Sequence, residues 1–496
     1  MTITARRVPE IIAVLAALTF AAMYFYTALP RLVYPYDLDF IEDSILMQSL
    51  RVARGQPVYV QPNADFDPHV YMPLYFWLGG LVIKLGGPSL GLLRLISFGA
   101  TLVTTFLIDG IARRESGLRW IGIVCAGLFL GGYRINGFWY EIIRVDSLFV
   151  ALTLGGLALG LYAGASNRRL ILSAVVLALS FFTKQTGALM GLGLALYLFA
   201  ALGRRALWFA IPFGGLTLVP LFTLNAVTGG WFFYHVFRIG SADPVEIGRI
   251  VNYVVFELFG VMTVLSLMAI VAGLLGARRA GLKVILDQPW LYAIGMAVVI
   301  SGIGRARVGG NLNNRMPAYA LLCLAPAILI REWSALIPAR GETQLRWRDR
   351  LMAAAIIIQF ALGGYYPPRY IPTAAMRQSG DRLIKRIASI DGRVLVMMHP
   401  YYALLAGKEP AAQIATLWYV RQRGALPLPD DFVNRIQSRY YAAIISDESL
   451  FETEPDIHGL LTTYYVPAET LDASEAPPTT TGVVVRPTVV YVPKQP

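Results

Sequence analysis

Eleven apolar runs separated by short polar breaks limit what this chain can fold into more than any other feature. They lie near 9–30, 91–112, 119–135, 147–166, 170–186, 187–203, 206–226, 250–276, 289–304, 315–331 and 351–366. Each approaches the roughly 17–25 residues that a helix needs to cross a bilayer. Hydrocarbon offers backbone polar groups no water, so runs of this kind must be helical. The composition agrees, with 56% of the 496 residues hydrophobic and 15% charged, against about 45–50% and 25% in soluble domains. The chain reads as a polytopic α-helical membrane protein with about 11 transmembrane helices.

The net charge of +12 does not point to nucleic acid, because the basic residues sit in clusters between apolar runs and not along one polar face. Arg6/Arg7, Arg113/Arg114/Arg119, Arg168/Arg169, Arg204/Arg205, Arg278/Arg279/Lys283 and the run from Arg331 to Arg350 all fall on one side. The positive-inside rule makes that side cytoplasmic. The amino terminus is then cytoplasmic, and its first run is a retained anchor in the cytoplasmic (inner) membrane. The loop at 31–70, the FWYEIIRVD segment, the loop at 227–249 and everything beyond 366 face the periplasm or its equivalent. MPLYFWLGGLVIKLGG (72–87) fits as a re-entrant or interfacial helix, since a full crossing there would invert every later loop. The short apolar runs RVLVMM, YYAAIIS and VVVRPTVVYV, with a helical piece at 380–390, predict a soluble α/β domain over 367–496. Cys125 and Cys323 lie inside apolar runs and read as core residues.

Chemistry concentrates in YPYDLDFIEDSILMQ. If this segment is helical, Asp39, Glu42 and Asp43 share one face at i, i+3 and i+4. Three clustered carboxylates, with Asp37 beside them, repel one another unless they serve a bound cation or a reacting hydroxyl. The structural alternative is a capping box, Asp39-x-x-Glu42. Asp146, in YEIIRVDSLF with Glu141 and Arg144 nearby, is either a helix N-cap or a second acidic site residue. Lys184 and Gln185 in FFTKQTG, and Arg94, Arg305, Arg307 and Arg315, lie on the outer side. Lys184 either snorkels to the interface or meets a phosphate; arginine's planar fork suits phosphate. His69, His235, His399 and His458 are scattered without paired spacing, so no histidine zinc site is expected.

The order IEDS, RVARGQPVY, HVYMPLYFWLGGLVIKLGG, Arg94, RVDSLF, FFTKQTG, NNRMPAY and RVLVMMHPYYALLAGK resembles the membrane-embedded GT-C glycosyltransferases. The likeness is to the bacterial protein-mannosyltransferase-like, aminoarabinose-transferase-like and Rgt-type group. The resemblance implies a catalytic membrane domain over 1–366, with the acidic motif and interfacial helices in a first outer loop at 31–90, followed by an outer domain at 367–496. It implies inverting transfer of a hexose or pentose from a polyprenyl-phosphate-linked donor to a lipid, glycan or protein acceptor outside the membrane, in some members with a divalent cation (Mg or Mn). Glu42 and Asp43 would supply the catalytic carboxylate, with Asp39 in reserve, and Asp146 the acidic residue of the second outer loop. Asp43 and Asp146 would be the ligands of any metal. Lys184, Arg94 and Arg315, in that order, would hold the donor phosphate; Tyr75, Gln185 and Asn314, in the same motifs, are further donor-binding candidates. The competing reading is a transporter or flippase relying on Glu257 and Asp109. A third is a non-catalytic binding subunit, in which neutralising the acidic segment changes nothing.

Overall fold

The structure, a computed structural model, describes residues 8–336, 342–447 and 455–495. Arg6/Arg7 and residues 337–341 of the later basic run lie outside the described residues. All eleven apolar runs are largely helical. Nine helices lead from the amino terminus: α1 (Val8–Leu32), α2 (Ile41–Ala53), α3 (Leu74–Gly86), α4 (Leu90–Ser116), α5 (Arg119–Gly131), α6 (Val145–Leu161), α7 (Asn167–Thr183), α8 (Gly187–Leu202) and α9 (Leu207–Val227). Further apolar helices follow at Thr263–Ala280, Pro289–Arg305, Met316–Leu322, Ala325–Leu336 and Glu342–Gly363.

Their lengths are less even than eleven regular spans would require. Among the described residues five helical stretches are long and apolar enough to cross a membrane, Val8–Leu32, Leu90–Ser116, Gly187–Val227, Thr263–Ala280 and Leu312–Leu336, and a sixth if the bent pair Trp347–Gly363 and Pro367–Ser389 is one span. Two expected spans are interrupted. The run at 250–276 winds as a π-helix over Tyr253–Val261 before turning at Met262. There Glu257 sits inside the apolar stretch, ion-paired with Arg305 and Arg315. The run at 315–331 breaks at Cys323 and Leu324 between two helices.

Leu15, Leu18, Phe106, Ile211, Val219 and Phe222 are more than half exposed. Large apolar side chains facing outward along long apolar helices form a lipid-contacting surface, which makes this a multi-pass membrane protein. Between helices small residues allow close approach: Ala13 and Ala17 of α1 are buried beside α5, where Gly127 lies against Ala17. Cys125 and Cys323 are free thiols in the same apolar core.

Beyond Ala374–Ser389 the chain forms a four-stranded sheet of order β1-β2-β4-β3, from β1 (Val394–Val396), β2 (Ala443–Ser446), β3 (Tyr465–Thr470) and β4 (Val489–Pro493). β1 and β2 run parallel; β4 is antiparallel to both β2 and β3. RVLVMM and YYAAIIS contain β1 and β2, whereas only the last residues of VVVRPTVVYV are strand. The sheet does not stand apart from the membrane portion. One continuous apolar core joins Tyr36, Leu38, Ile41 and Ile45 of the first outer loop, Tyr75 and Phe76 of α3, and Leu383, Val394, Tyr401, Tyr402 and Val490. α3, only 13 residues long, spans about 20 Å at 1.5 Å per residue, short of a crossing. It packs in that core.

Candidate active site

Asp37, Asp39, Glu42 and Asp43 are all buried. A carboxylate removed from water must find a cation or donors, and these four find them in three different directions.

α2 begins at Ile41, so Asp39 precedes the helix and does not share a face with Glu42 and Asp43. Its Oδ1 accepts the backbone N–H of Ile41 (3.0 Å), while Glu42 reaches back to the N–H of Leu38 (2.8 Å). The segment thus has the reciprocal logic of a capping box, displaced by one residue at each side.

Glu42 is used up by this frame. Arg94 Nε donates to its Oε1 (2.8 Å) and Nη2 to its Oε2 (2.6 Å); the N–H of Ile143 supplies a further donor (2.9 Å). The remaining donors of Arg94 go to the carbonyls of Arg31, Tyr34 and Tyr36. Burial works against the Glu42 charge, yet the Arg94 guanidinium and the hydrogen bonds outweigh it and hold the carboxyl below its usual range. Arg94 therefore has no donor left for a phosphate, which corrects its expected placement, and Glu42 has no free lone pair directed at a cavity.

Asp43 turns the other way. Both its oxygens accept the N–H of Tyr401 (3.2 Å), and it lies beside Asp37, whose Oδ2 accepts from His399 Nδ1 (2.8 Å). Burial and the Asp37 charge push its pKa well up.

Asp39 alone of the four lines the large polar cavity. That cavity, about 520 Å³, lies between the first outer loop, the start of α8, residues 236–243 and residues 303–314; His69, Arg144, Lys184 and Asn313 are also among its lining residues. Arg144 Nη2 lies 3.1 Å from Asp39 Oδ1, and its Nη1 donates to the Tyr71 hydroxyl (2.8 Å). Burial raises the Asp39 pKa; Arg144 opposes it without cancelling it. His69, stacked on Tyr71 with ring centroids 4.6 Å apart, is neutral, because burial and Arg144 push its pKa down to about 3.

Lys184 follows α7 and brings its ammonium to the cavity, fixed by Asp146 Oδ1 (2.6 Å) and Asn314 Oδ1 (3.0 Å). Asp146 is held on its other oxygen by Asn313 (2.9 Å) and stands behind the lysine, not in the lining. Asp146 and Asp43 therefore do not meet as a ligand pair. Gln185 and Asn314 line the cavity as well. Arg315 is instead ion-paired with Glu257 (3.5 Å). Tyr75 is buried against Leu93 O and the Ser97 hydroxyl. Neither reaches the cavity. Arg144, His69 and Tyr419 are lining residues that spacing did not single out; Arg144 and His69 fall in RVDSLF and HVYMPLYFWLGGLVIKLGG, and Tyr419 in none of the motifs.

The carboxyl-terminal segment closes this site from above. The N–H groups of Thr480 and Thr481 donate to Leu38 O (3.0 and 2.8 Å), and Arg31 Nη2 donates to the Thr481 hydroxyl (2.7 Å). Gly482 follows, at φ +71°, directly over Asp39 and Trp139. A methyl group there would overlap Asp39 Oδ2, and the backbone conformation itself disfavours a side chain. Gly482→Ala should displace this segment from Asp39, lowering turnover sharply and the thermal midpoint with it, as read by turnover beside a melting curve.

Residues 68–231 match the family model described as dolichyl-phosphate-mannose-protein mannosyltransferase. No curated protein matches the sequence. Among solved structures, the chain is similar to ArnT from Cupriavidus metallidurans bound to undecaprenyl phosphate, with a TM-score of 0.59 at 14% identity over 96% of this chain and 97% of that one. It is also similar to the archaeal oligosaccharyltransferase AglB from Archaeoglobus fulgidus in complex with an inhibitory peptide and a dolichol-phosphate. That match has a TM-score of 0.53 at 10% identity, over 93% of this chain and 73% of that one.

Proposed function

We propose, from the GT-C fold that this chain shares with those proteins, that it transfers a sugar from a polyprenyl-phosphate-linked donor to a hydroxyl-bearing lipid, glycan or protein on the outer face of the cytoplasmic membrane. The observation that carries this reading is a cavity with charged side chains in its lining that shares two residues with a cavity whose lining is almost wholly apolar. The polar cavity holding Asp39, Arg144 and Lys184 has Leu189 and Ile303 in its wall. The same two residues line an apolar cavity of about 660 Å³ between α8 and Pro289–Arg305, with Leu192, Leu196, Met296 and Val299. An isoprenoid tail suits the second cavity and a phosphate-linked sugar the first.

In this reading Asp39 takes the proton of the acceptor hydroxyl, and the oxygen attacks the anomeric carbon as the bond to the phosphate oxygen breaks. One displacement inverts the anomeric centre. The polyprenyl phosphate leaves with the bonding electron pair, and its developing charge is met by Lys184, which Asp146 and Asn314 hold in place. Arg144 orients Asp39, and Gln185 fixes the wall by donating to the carbonyls of Val70 and Val236. This moves the base from the Glu42/Asp43 pair to the reserve candidate. The cavity does not suit a Mg or Mn centre: its lining carboxylates, Asp39 and Asp243, are engaged by Arg144 and Arg423, and Asp146 behind them by Lys184, so none offers a carboxylate free of a cation. No step is routed through a metal.

The test is transfer by purified protein in detergent, with a panel of polyprenyl-phosphate sugars, native membrane lipid extract as acceptor source, and Asp39→Asn beside wild type. Transfer by wild type and its loss in the variant are expected; full transfer by folded Asp39→Asn would overturn the assignment. The tail site has its own test. A side chain at Gly295 meets nothing within 4 Å and would project into the apolar cavity. Gly295→Phe should raise KM for a long-chain donor with little change for a short-chain prenyl analogue.

A further inference from the structure

The second destination of the acidic segment lies away from the polar cavity, where the first outer loop meets the sheet. Asp37 and Asp43 come from either side of the α2 start. His399 comes from the turn after β1, and Asp447 from the end of β2. All four are buried. One ligand atom from each of Asp37, Asp43 and His399 lies within 4.8 Å of the others. His399 Nδ1 faces Asp37, and its other nitrogen, Nε2, faces Asp447 Oδ1 at 3.6 Å.

Several of these atoms lack a hydrogen-bond partner: Asp37 Oδ1, His399 Nε2 and both oxygens of Asp447. Buried polar atoms are rarely left so, and each calls for a reason. The composition of the cluster sharpens the problem. Three buried carboxylates share a single imidazole, and the Arg94 guanidinium is committed to Glu42. Buried carboxyl oxygens with so few donors are costly to leave unpartnered.

We propose that Asp37, Asp43 and His399 Nδ1 bind a divalent transition-metal ion of the zinc class, oriented by Asp447, which fastens the sheet onto the first outer loop. A ligating imidazole characteristically donates its remaining N–H to a carboxylate, and Asp447 stands where that carboxylate belongs. One imidazole with two carboxylates favours zinc-like ions over magnesium or calcium, which take oxygen ligands. Bonds of about 2.0–2.2 Å to nitrogen and oxygen hold ligand atoms about 3.5 Å apart, so binding would open the 2.8 Å contact between His399 Nδ1 and Asp37 Oδ2 and draw Asp43 in. The site bridges residues some 360 positions apart in sequence (His399 to Asp37 is |i−j| = 362). It joins the loop carrying Asp39 to the part of the chain that covers it. The inference does not rest on the transferase reading, and neither does its test.

Purified full-length protein, prepared without chelator, should contain about one zinc-class ion per chain by elemental analysis. Its X-ray absorption should show one imidazole, oxygen ligands and no sulfur. Asp43→Asn and His399→Gln should lose the ion, and Asp447→Asn should weaken binding about 10–100-fold. Stripping wild type with a strong chelator should lower the thermal midpoint and open the 366–373 linker to protease; Zn²⁺ should reverse both, and Mg²⁺ neither. Because the measurements on wild type need no variant, failure of a variant to fold leaves the test intact. Metal-free wild type indifferent to added Zn²⁺ and to chelator would overturn the proposal, as would full metal retention in both Asp43→Asn and His399→Gln.

Discussion

Asp39→Asn should lower turnover by about 10²–10⁴-fold, the range for removing a positioned general base, while leaving the fold intact. Asparagine keeps an oxygen to accept the N–H of Ile41, the bond that Asp39 Oδ1 makes at 3.0 Å. It loses only the negative charge that receives the hydroxyl proton and pairs with Arg144. Arg144 is left without its charge partner but lines the cavity and keeps the Tyr71 hydroxyl, so the thermal midpoint should fall, by less than a fully enclosed pair would cost; KM for the donor should change less than kcat, because the phosphate is met by Lys184 elsewhere in the cavity. The pH profile gives a second readout. Asp39 must be ionised to act, and burial raises its pKa despite Arg144. Activity should be full on the alkaline side and fall as pH drops through that raised value, with an acid limb lying above the ordinary aspartate value of about 3.9. An acid limb at or below that value, or a variant as active as wild type, would remove Asp39 from the role.

What could be read from the sequence was what local pattern determines. The apolar runs became helices because nothing else spans hydrocarbon, and β1 and β2 appeared where short apolar runs stood between polar stretches. Spacing also drew attention to fifteen residues of the first outer loop, of whose four carboxylates Asp39 lines the polar cavity. It could not assign roles among Asp37, Asp39, Glu42 and Asp43, because each role is set by a partner remote in sequence: Arg94 for Glu42, Arg144 for Asp39, His399 for Asp37. Assuming a helix through Asp39 also placed it on the wrong face; the Ile41 N–H captures its side chain and starts the helix two residues later. Arg94 and Arg315 looked like free outward cations because Glu42 and Glu257 lie 52 and 58 residues away. Lys184, Gln185 and Asn314 do line the polar cavity, their motifs converging from separate helix ends.

Glu42→Gln should behave in the opposite way to Asp39→Asn, failing through folding and not through chemistry. Glu42 and Arg94 are both without solvent exposure and meet at 2.6 Å. Breaking a buried pair by removing one charge costs about 3–5 kcal/mol, because the partner is left uncompensated. Glutamine has a second fault here: its amide must turn hydrogens toward the N–H of Leu38 or of Ile143, donors that Glu42 now satisfies. The expected result is a large fall in thermal midpoint or in yield of folded protein, with residual turnover per folded molecule near wild type. The sign of the pH effect follows from the same contacts. Glu42 titrates below its unfolded value, so its contribution to stability is complete above the ordinary glutamate range and is lost as pH falls through the depressed folded value. Exchanging both partners, Glu42→Leu with Arg94→Leu, should cost less than Arg94→Leu alone, since the double change leaves no buried charge behind. It should not restore wild-type stability, because the carbonyls of Arg31, Tyr34 and Tyr36 would still lack the donors that Arg94 supplies. If Glu42→Gln instead melted like wild type and lost turnover, the base would be Glu42, and the Arg94 pair would be part of the catalytic apparatus and not of the scaffold.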